Sequence, residues 1–243
     1  MKKHLAAIVF SLAIVISSIV LSQGFKNRNA ADGKISVTGL GSKDFTSDLI
    51  VWEGSFSTEN YDLKQAYKQI EKDKILISNY LNDKGITESE LVFKAVSTRK
   101  NTRPKYTQDG KYAGEEFLGY SLSQSLQIDS KNVENTEKVS REITELLNQG
   151  VQLYSLAPRY YYTKLTDLKL EMISMATEDA YARAHKIANH SGAKLGQLIT
   201  ANMGVFQITG QNSNEDYSWG GTYNTSSKHK TASITMKLDY KVK

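Results

Sequence analysis

Apolar positions recur every second residue in some stretches of the chain and every third or fourth in others, so the pattern alone divides it into elements. The clearest stretch runs from Thr166 to Gly196, with apolar or small residues at Leu168, Met172, Met175, Ala176, Ala180, Ala184, Ile187 and Ala188. That is the stripe of an amphipathic helix. Thr166 or Asp167 can cap its start, and Gly192 can supply a left-handed stop. Glu178, Asp179, Arg183 and Lys186 form the wet side. A face of Ala and Met rather than Leu predicts a helix lying close against a sheet. Arg183 is expected to be an ion-pairing or surface anchor rather than a catalyst.

The rest follows in order. Lys34–Leu40 alternates as a strand, with a turn expected at Gly39, Gly41 and Asp44. Ser47–Thr58 is a second strand. Tyr61–Asn82 is helical, with Asn60 as its cap and Gly85 as its stop. Glu90–Lys100 is a strand, Asn101–Glu116 a polar excursion, and Phe117–Asp129 a strand. Asn132–Gln149 is a helix ended by Gly150. Val151–Lys164 is a strand region with Pro158 marking an edge or a bulge. After the Ala/Met helix come a strand region at Gly196–Gln211, a long polar loop at Asn212–Lys228 and a closing strand at His229–Tyr240. Hairpins mixed with helices give an α+β class: largely antiparallel sheets with three helices packed on them. Strand–helix–strand occurs twice, which leaves an internal β-α-β duplication open.

The beginning of the chain stands apart. Lys2 and Lys3 precede an uncharged, largely apolar run from Leu5 to Leu21, which reads as an export signal. Residues 1–30 are therefore either an uncleaved hydrophobic anchor helix or a cleaved signal peptide. Lys26 and Arg28 after the run favour the anchor, and residues 31–243 form the folded domain. This changes the meaning of the charge. The 243 residues carry +5, but the first thirty hold four cations and no anion, which leaves +1 for the remainder. Such a balance gives no argument for nucleic-acid binding. The absence of Cys excludes disulfides, thiol catalysis and Cys-ligated metals.

Four stretches carry a resemblance: Ile35-Ser36-Val37-Thr38-Gly39-Leu40-Gly41, Tyr80-Leu81 through Gly85-Ile86, Gly119-Tyr120, and Ala180-Tyr181-Ala182-Arg183-Ala184-His185-Lys186-Ile187-Ala188 with the exit Gly192-Ala193-Lys194-Leu195-Gly196. Together they resemble the SIMPL-domain proteins, which include periplasmic immunogenic proteins of Gram-negative bacteria. The last stretch is the most specific, although His185 stands where the family helix usually has another Ala. The resemblance implies an exported α+β protein of the bacterial envelope: periplasmic, membrane-anchored or secreted, linked to envelope and oxidative stress. It also implies homo-oligomeric, ring-like assembly for some members. It supplies no catalytic residues to carry over.

Candidate chemistry is thin. Gly39-Leu40-Gly41 lacks the third glycine of a dinucleotide loop and reads as a structural turn. His185 and His190 are five apart and point in different directions, so no metal pair is expected. Glu115-Glu116 and Glu178-Asp179 are neighbours that diverge, and no nucleophile motif accompanies the serines. No catalytic, cofactor or metal site is expected, and the chain is expected not to be an enzyme. A small-ligand or lipid-binding module is the alternative, with an uncharacterised hydrolase behind it. Arg99, Lys100, Arg103 and Lys105, with Tyr106 and Tyr112 nearby, could touch phospholipid head groups or nucleic-acid phosphates, but read first as a solvated loop. Tyr160 and Tyr162 are expected on one side of a strand and Tyr161 on the other. Tyr217, Trp219 and Tyr223 sit among Gly, Ser and Asn in the long loop. Amphipathic aromatics in such surroundings suit a partner or subunit contact. Tyr217, Trp219, Tyr223, Tyr160 and Tyr162 are thus the candidate contact residues.

Overall fold

A computed structural model describes residues 11–23 and 33–243. Among them the elements are the helical segment 11–23 (α1), β1 (Lys34–Thr46), β2 (Leu49–Asn60), α2 (Leu63–Asp83), β3 (Leu91–Phe93), β4 (Ser97–Tyr106), β5 (Tyr112–Ser130), α3 (Val133–Glu142), a 3₁₀ helix (Ile143–Gln149), β6 (Leu153–Ser155), β7 (Arg159–Tyr161), α4 (Leu165–His190), β8 (Leu195–Met203), β9 (Gln207–Gly210) and β10 (His229–Val242). The class is α+β with antiparallel strand pairing. The chain divides into two compact units. One comprises the described part of 1–41 with 173–204 and 234–243, and the other 42–172 with 205–233. Three of the four boundaries fall within β1, α4 and β10, and the fourth between β8 and β9.

In the first unit β10 lies between β1 and β8 in the sheet. Val37 and Gly39 of β1 and Met236, Leu238 and Tyr240 of β10 are buried, while their strand neighbours are exposed, apart from the half-buried Asp239. Each strand therefore turns alternate residues inward. Gly39 meets α4 directly. A Cβ there would lie 2.7 Å from the Ala180 Cβ, and closer still to the Ala176 carbonyl oxygen and the Ala180 amide nitrogen. The expected turn at Gly39–Gly41 is therefore absent. Both glycines belong to one continuous strand, and Gly39 is required by the approach of the helix, not by a bend.

Helix α4 buries Leu168, Met172, Ala176, Ala180, Ala184 and Ala188. Met175 and Ile187, expected on that stripe, are exposed at 37% and 48%. Each stands one residue before a buried Ala and so lies about 100° away around the helix. The strict spacing of four also advances the buried line by about 40° per step, so it winds around the helix. Gly192, at φ +73°, takes the left-handed conformation just after the helix.

In the second unit β5 lies between β2 and β3, and β2 also pairs with β6 and β7. The inward residues of this sheet, among them Trp52, Phe56, Leu122, Leu126 and Ile128, form one core with Ala66, Ile70, Ile77 and Leu81 of α2 and with Val139 of α3, Ile143 and Leu146. The Trp52 indole N–H is buried but donates to the Ser155 hydroxyl at 3.0 Å, which in turn donates to the Ser140 carbonyl at 3.1 Å.

Several boundaries differ from those expected. Asp62, not Asn60, caps α2: its carboxylate accepts the Gln65 N–H at 3.0 Å, while Asn60 is still paired with Tyr120 in the sheet. Asn132–Gln149 is an α-helix only to Glu142 and tightens into 3₁₀ beyond it. Val151–Lys164 splits into β6 and β7 on either side of Pro158. The polar excursion Asn101–Glu116 is no loop: β4 and β5 continue through it as a hairpin closed at Thr107–Lys111.

The hydrophobic segment Leu5–Leu21 lies partly outside the described residues. Within 11–23, Leu12, Ile14, Val15, Ile16, Ile19, Val20 and Leu21 are all exposed. Among the described residues no helix is long and apolar enough to cross a membrane.

Candidate functional site

The loop between β9 and β10 lies wholly in the second unit and holds three of the five aromatics singled out from sequence. Trp219 is fully exposed, and Tyr217 is 67% exposed. The Tyr217 hydroxyl lies 3.2 Å from the Ser233 hydroxyl, which fixes the ring at its far end. Tyr223 is partly exposed, with its ring centroid 6.5 Å from that of Tyr161. Tyr160 is buried with Ile50 and Val133, and Tyr162 packs against Phe45 at 4.8 Å between centroids. Of the aromatics on β7, Tyr161 is therefore the one whose ring meets a ring of the loop, that of Tyr223. Tyr160 is core, and the strand alternation accounts for that placement.

Polar groups tie this loop down along its length. Gln207, on β9, accepts the Ser218 N–H at 3.2 Å and the Thr222 N–H at 2.8 Å, and donates to the Ser218 carbonyl at 2.7 Å. Glu215 accepts the Gly210 N–H at 3.0 Å and the Asn224 side-chain amide. Asn224 accepts the Ser227 N–H at 2.8 Å. Backbone bonds add to this: Ile208 N–H to the Thr222 carbonyl at 2.7 Å, Asn224 N–H to the Ile208 carbonyl at 2.8 Å, and Tyr160 N–H to the Thr225 carbonyl at 2.7 Å. A backbone so anchored holds its aromatics in place.

The deepest anchor is Lys230, only 1% exposed. Its ammonium donates to the carbonyls of Tyr160 and Asn224, each at 2.6 Å, and sits 5.5 Å from the Tyr223 ring centroid. Burial pushes its pKa down to about 8, opposed by the charge of Glu215. Beside it, Lys228 pairs with Glu137 at 2.8 Å and Glu134 at 3.0 Å, and the Glu137 bond leads in raising its proton affinity. Burial raises the pKa of Tyr160 and of Tyr223, so both phenols are neutral through the physiological range.

Sequence reading had missed Lys230, Gln207 and Glu215. For Lys230 there was a signal: it shares the period-2 face of Ala232 and Ile234, which is the face that β10 buries. For Gln207 and Glu215 no pattern marks the role, because their partners are mostly backbone groups of the loop itself.

The remaining candidates are dispersed. His185 lies 3.3 Å from the Asn189 amide, on the same helix. Among the described residues no group of three His, Asp or Glu side chains is placed to hold a metal ion. Asp179 and Arg183 form an ion pair at 2.8 Å, and Asp179 also accepts the Leu40 N–H at 2.8 Å. The Leu40 amide first, and Arg183 second, hold the Asp179 carboxyl below its usual range. Arg183 thus steadies a carboxylate that caps a backbone group of β1.

Two comparisons with known proteins bear on the chain. The family model described as SIMPL, protein of unknown function (DUF541), matches residues 35–238. No curated protein matches it.

Proposed function

The chain belongs to the SIMPL family, and from that premise we propose that it is a non-enzymatic protein of the bacterial cell envelope. In this reading it is exported, held at or beyond a membrane, and self-associates or binds a protein partner through the loop between β9 and β10. Its role is protective under envelope or oxidative stress.

The observation that carries this reading is Trp219: a fully exposed indole on a loop secured by Gln207, Glu215, Asn224 and Lys230. Exposing such a ring to water wastes its capacity for burial, and Trp and Tyr are the residues on which interfaces most depend. Fixing the loop beforehand removes much of the ordering entropy that binding would otherwise cost.

The test compares the purified full chain with Tyr217→Ala/Trp219→Ala by analytical ultracentrifugation, and by resistance of cells to peroxide. Wild type is expected to associate, and the variant to lose association and protection while keeping its unfolding midpoint. A double variant that associates and protects as wild type does would remove the loop from the proposal. A monomeric wild type at high concentration would remove self-association.

A further inference from the structure

The β4–β5 hairpin is used by none of the roles above. β2 pairs with β5 only from Ser130 to Tyr120, whereas β4 pairs with β5 out to Tyr112. Among the described residues, 112–119 of β5 therefore have a strand on one side only, and so does β4. The result is a two-stranded ribbon standing beyond the sheet. In isolation such a ribbon is marginal in water, so its own contacts matter. Tyr61, Phe117 and Tyr120 cluster at its base, with ring centroids 4.9 and 5.1 Å apart. Arg103 bridges to Glu116 across the strands at 2.7 Å, and Lys100 lies 5.4 Å from the Phe117 ring centroid. At the tip Tyr106 and Tyr112 pair edge-to-face at 6.3 Å, each 63% exposed.

Its cations gather on one strand. β4 carries Arg99, Lys100, Arg103 and Lys105 and no acid, and Lys111 follows in the turn. The opposing carboxylates are Asp109, Glu115 and Glu116, and Glu116 is taken by Arg103. Residues 97–118 hold five cations against three anions, with Arg99 and Lys100 at the base, where β2 still flanks β5, and three of each sign in the free ribbon 102–118; the β4 residues are exposed apart from Asn101. Lys and Pro104 also deter another strand from adding to this edge. Cations with exposed tyrosines at the tip match the headgroup region of a bilayer, where Tyr settles and Lys or Arg meets phosphate. The edge-to-face contact of Tyr106 with Tyr112 occupies part of each ring, which suits insertion at an interface better than stacking on nucleic-acid bases.

We infer that the β4–β5 ribbon is an arm that docks on the surface of an anionic phospholipid bilayer. Its cations lie near the lipid phosphates and its tip tyrosines at the level of the headgroups. The arm is separate from the β9–β10 loop, and each can fail without the other.

Flotation of the full chain on vesicles of phosphatidylcholine alone, and of phosphatidylcholine with phosphatidylglycerol, tests this. The readout is the ratio of the two partition coefficients, so apolar binding through the N-terminal segment cancels. Arg99→Gln/Lys100→Gln/Lys105→Gln retains the Arg103–Glu116 bridge and the cations of residues 1–30. At about fivefold per cation, its anionic preference is expected to fall on the order of a hundredfold. Tyr106→Ser/Tyr112→Ser is expected to weaken binding to both vesicles. Should the triple variant unfold, the exposed Lys105→Glu change reads the same direction. An anionic preference in the triple variant equal to wild type overturns the inference. So does single-stranded DNA that binds the wild-type ribbon and displaces the vesicles at equal phosphate.

Discussion

Gly39→Ala tests the contact on which the first unit is built. The added methyl would lie 2.7 Å from the Ala180 Cβ and nearer still to two backbone atoms of α4. Carbon atoms rest at about 3.5–4.0 Å, so strand and helix must part by about 1 Å at this point. A gap of that size forfeits a quarter to a half of the dispersion energy of each contact it opens, and the opened contacts include the buried Ala176 and Ala180. Overpacking of this kind costs about 1–3 kcal/mol, and the backbone obstacle puts Gly39→Ala at the upper end, near 3 kcal/mol. For a chain of this size that lowers the unfolding midpoint by roughly 6–12 °C. Urea unfolding followed by circular dichroism measures the loss. Amide exchange at Leu40 should accelerate as well, because its bond to Asp179 depends on the same spacing. Ala180→Gly should not rescue the variant: it removes one Cβ, leaves the Ala176 carbonyl in place and adds about 1 kcal/mol of helix cost. A Gly39→Ala chain within 0.5 kcal/mol of wild type, or one restored by Ala180→Gly, would refute the argument.

Lys230→Met should cost on the order of 2–4 kcal/mol in urea unfolding, because the Tyr160 and Asn224 carbonyls lose their donor inside the protein. The same variant isolates a pH effect. Folding lowers the pKa of Lys230 from 10.5 to about 8, so between these values the unfolded chain binds more protons and stability rises with pH, by up to about 3 kcal/mol from this group. The wild-type minus Lys230→Met difference should follow that slope from pH 8 to 9.5. Above pH 10 the tyrosines whose affinity burial raises, Tyr80, Tyr160, Tyr223 and Tyr240, act in the opposite sense, since they hold their protons in the fold while the unfolded chain releases them. Arg183→Ala should change stability by less than about 1 kcal/mol, as an exposed i,i+4 pair on a helix surface does, and an activity lost without loss of stability would contradict its role as an anchor. Trp219→Ala should leave the unfolding free energy within about 0.5 kcal/mol of wild type, because the ring buries nothing.

What was legible in the sequence follows from which elements have two unlike faces. α4 was visible because its buried alanines keep a helical period. The hairpin through 101–116 was invisible because nearly all of its β4 side chains meet water, so no alternation of polar and apolar marks the strand. Gly39 was misread for a different reason. Glycine signals either a turn or a close approach, and sequence does not say which until the opposing helix is known. The five aromatics could be selected as a set but not sorted: strand alternation placed Tyr160 inward, while the exposure of Trp219 depends on how the loop is tied.

That tying also changes what the loop means. Asn, Ser and Gly around Tyr217 and Trp219 suggest a mobile segment that would have to order itself on contact. The structure instead spends a buried ammonium, a carboxylate and two carboxamides, those of Gln207 and Asn224, on holding it. The buried members of this set, Gln207, Asn224 and Lys230, contribute little net stability compared with an apolar core, and each carries a desolvation penalty. An apolar network with no polar partners to satisfy would have stabilised the fold more simply, whereas removing one member of this one, as in Lys230→Met, leaves its partners unpaired. The presence of these polar groups is explained if one backbone conformation of the loop, the one that holds the Trp219 indole out in water, is worth more than the stability forgone.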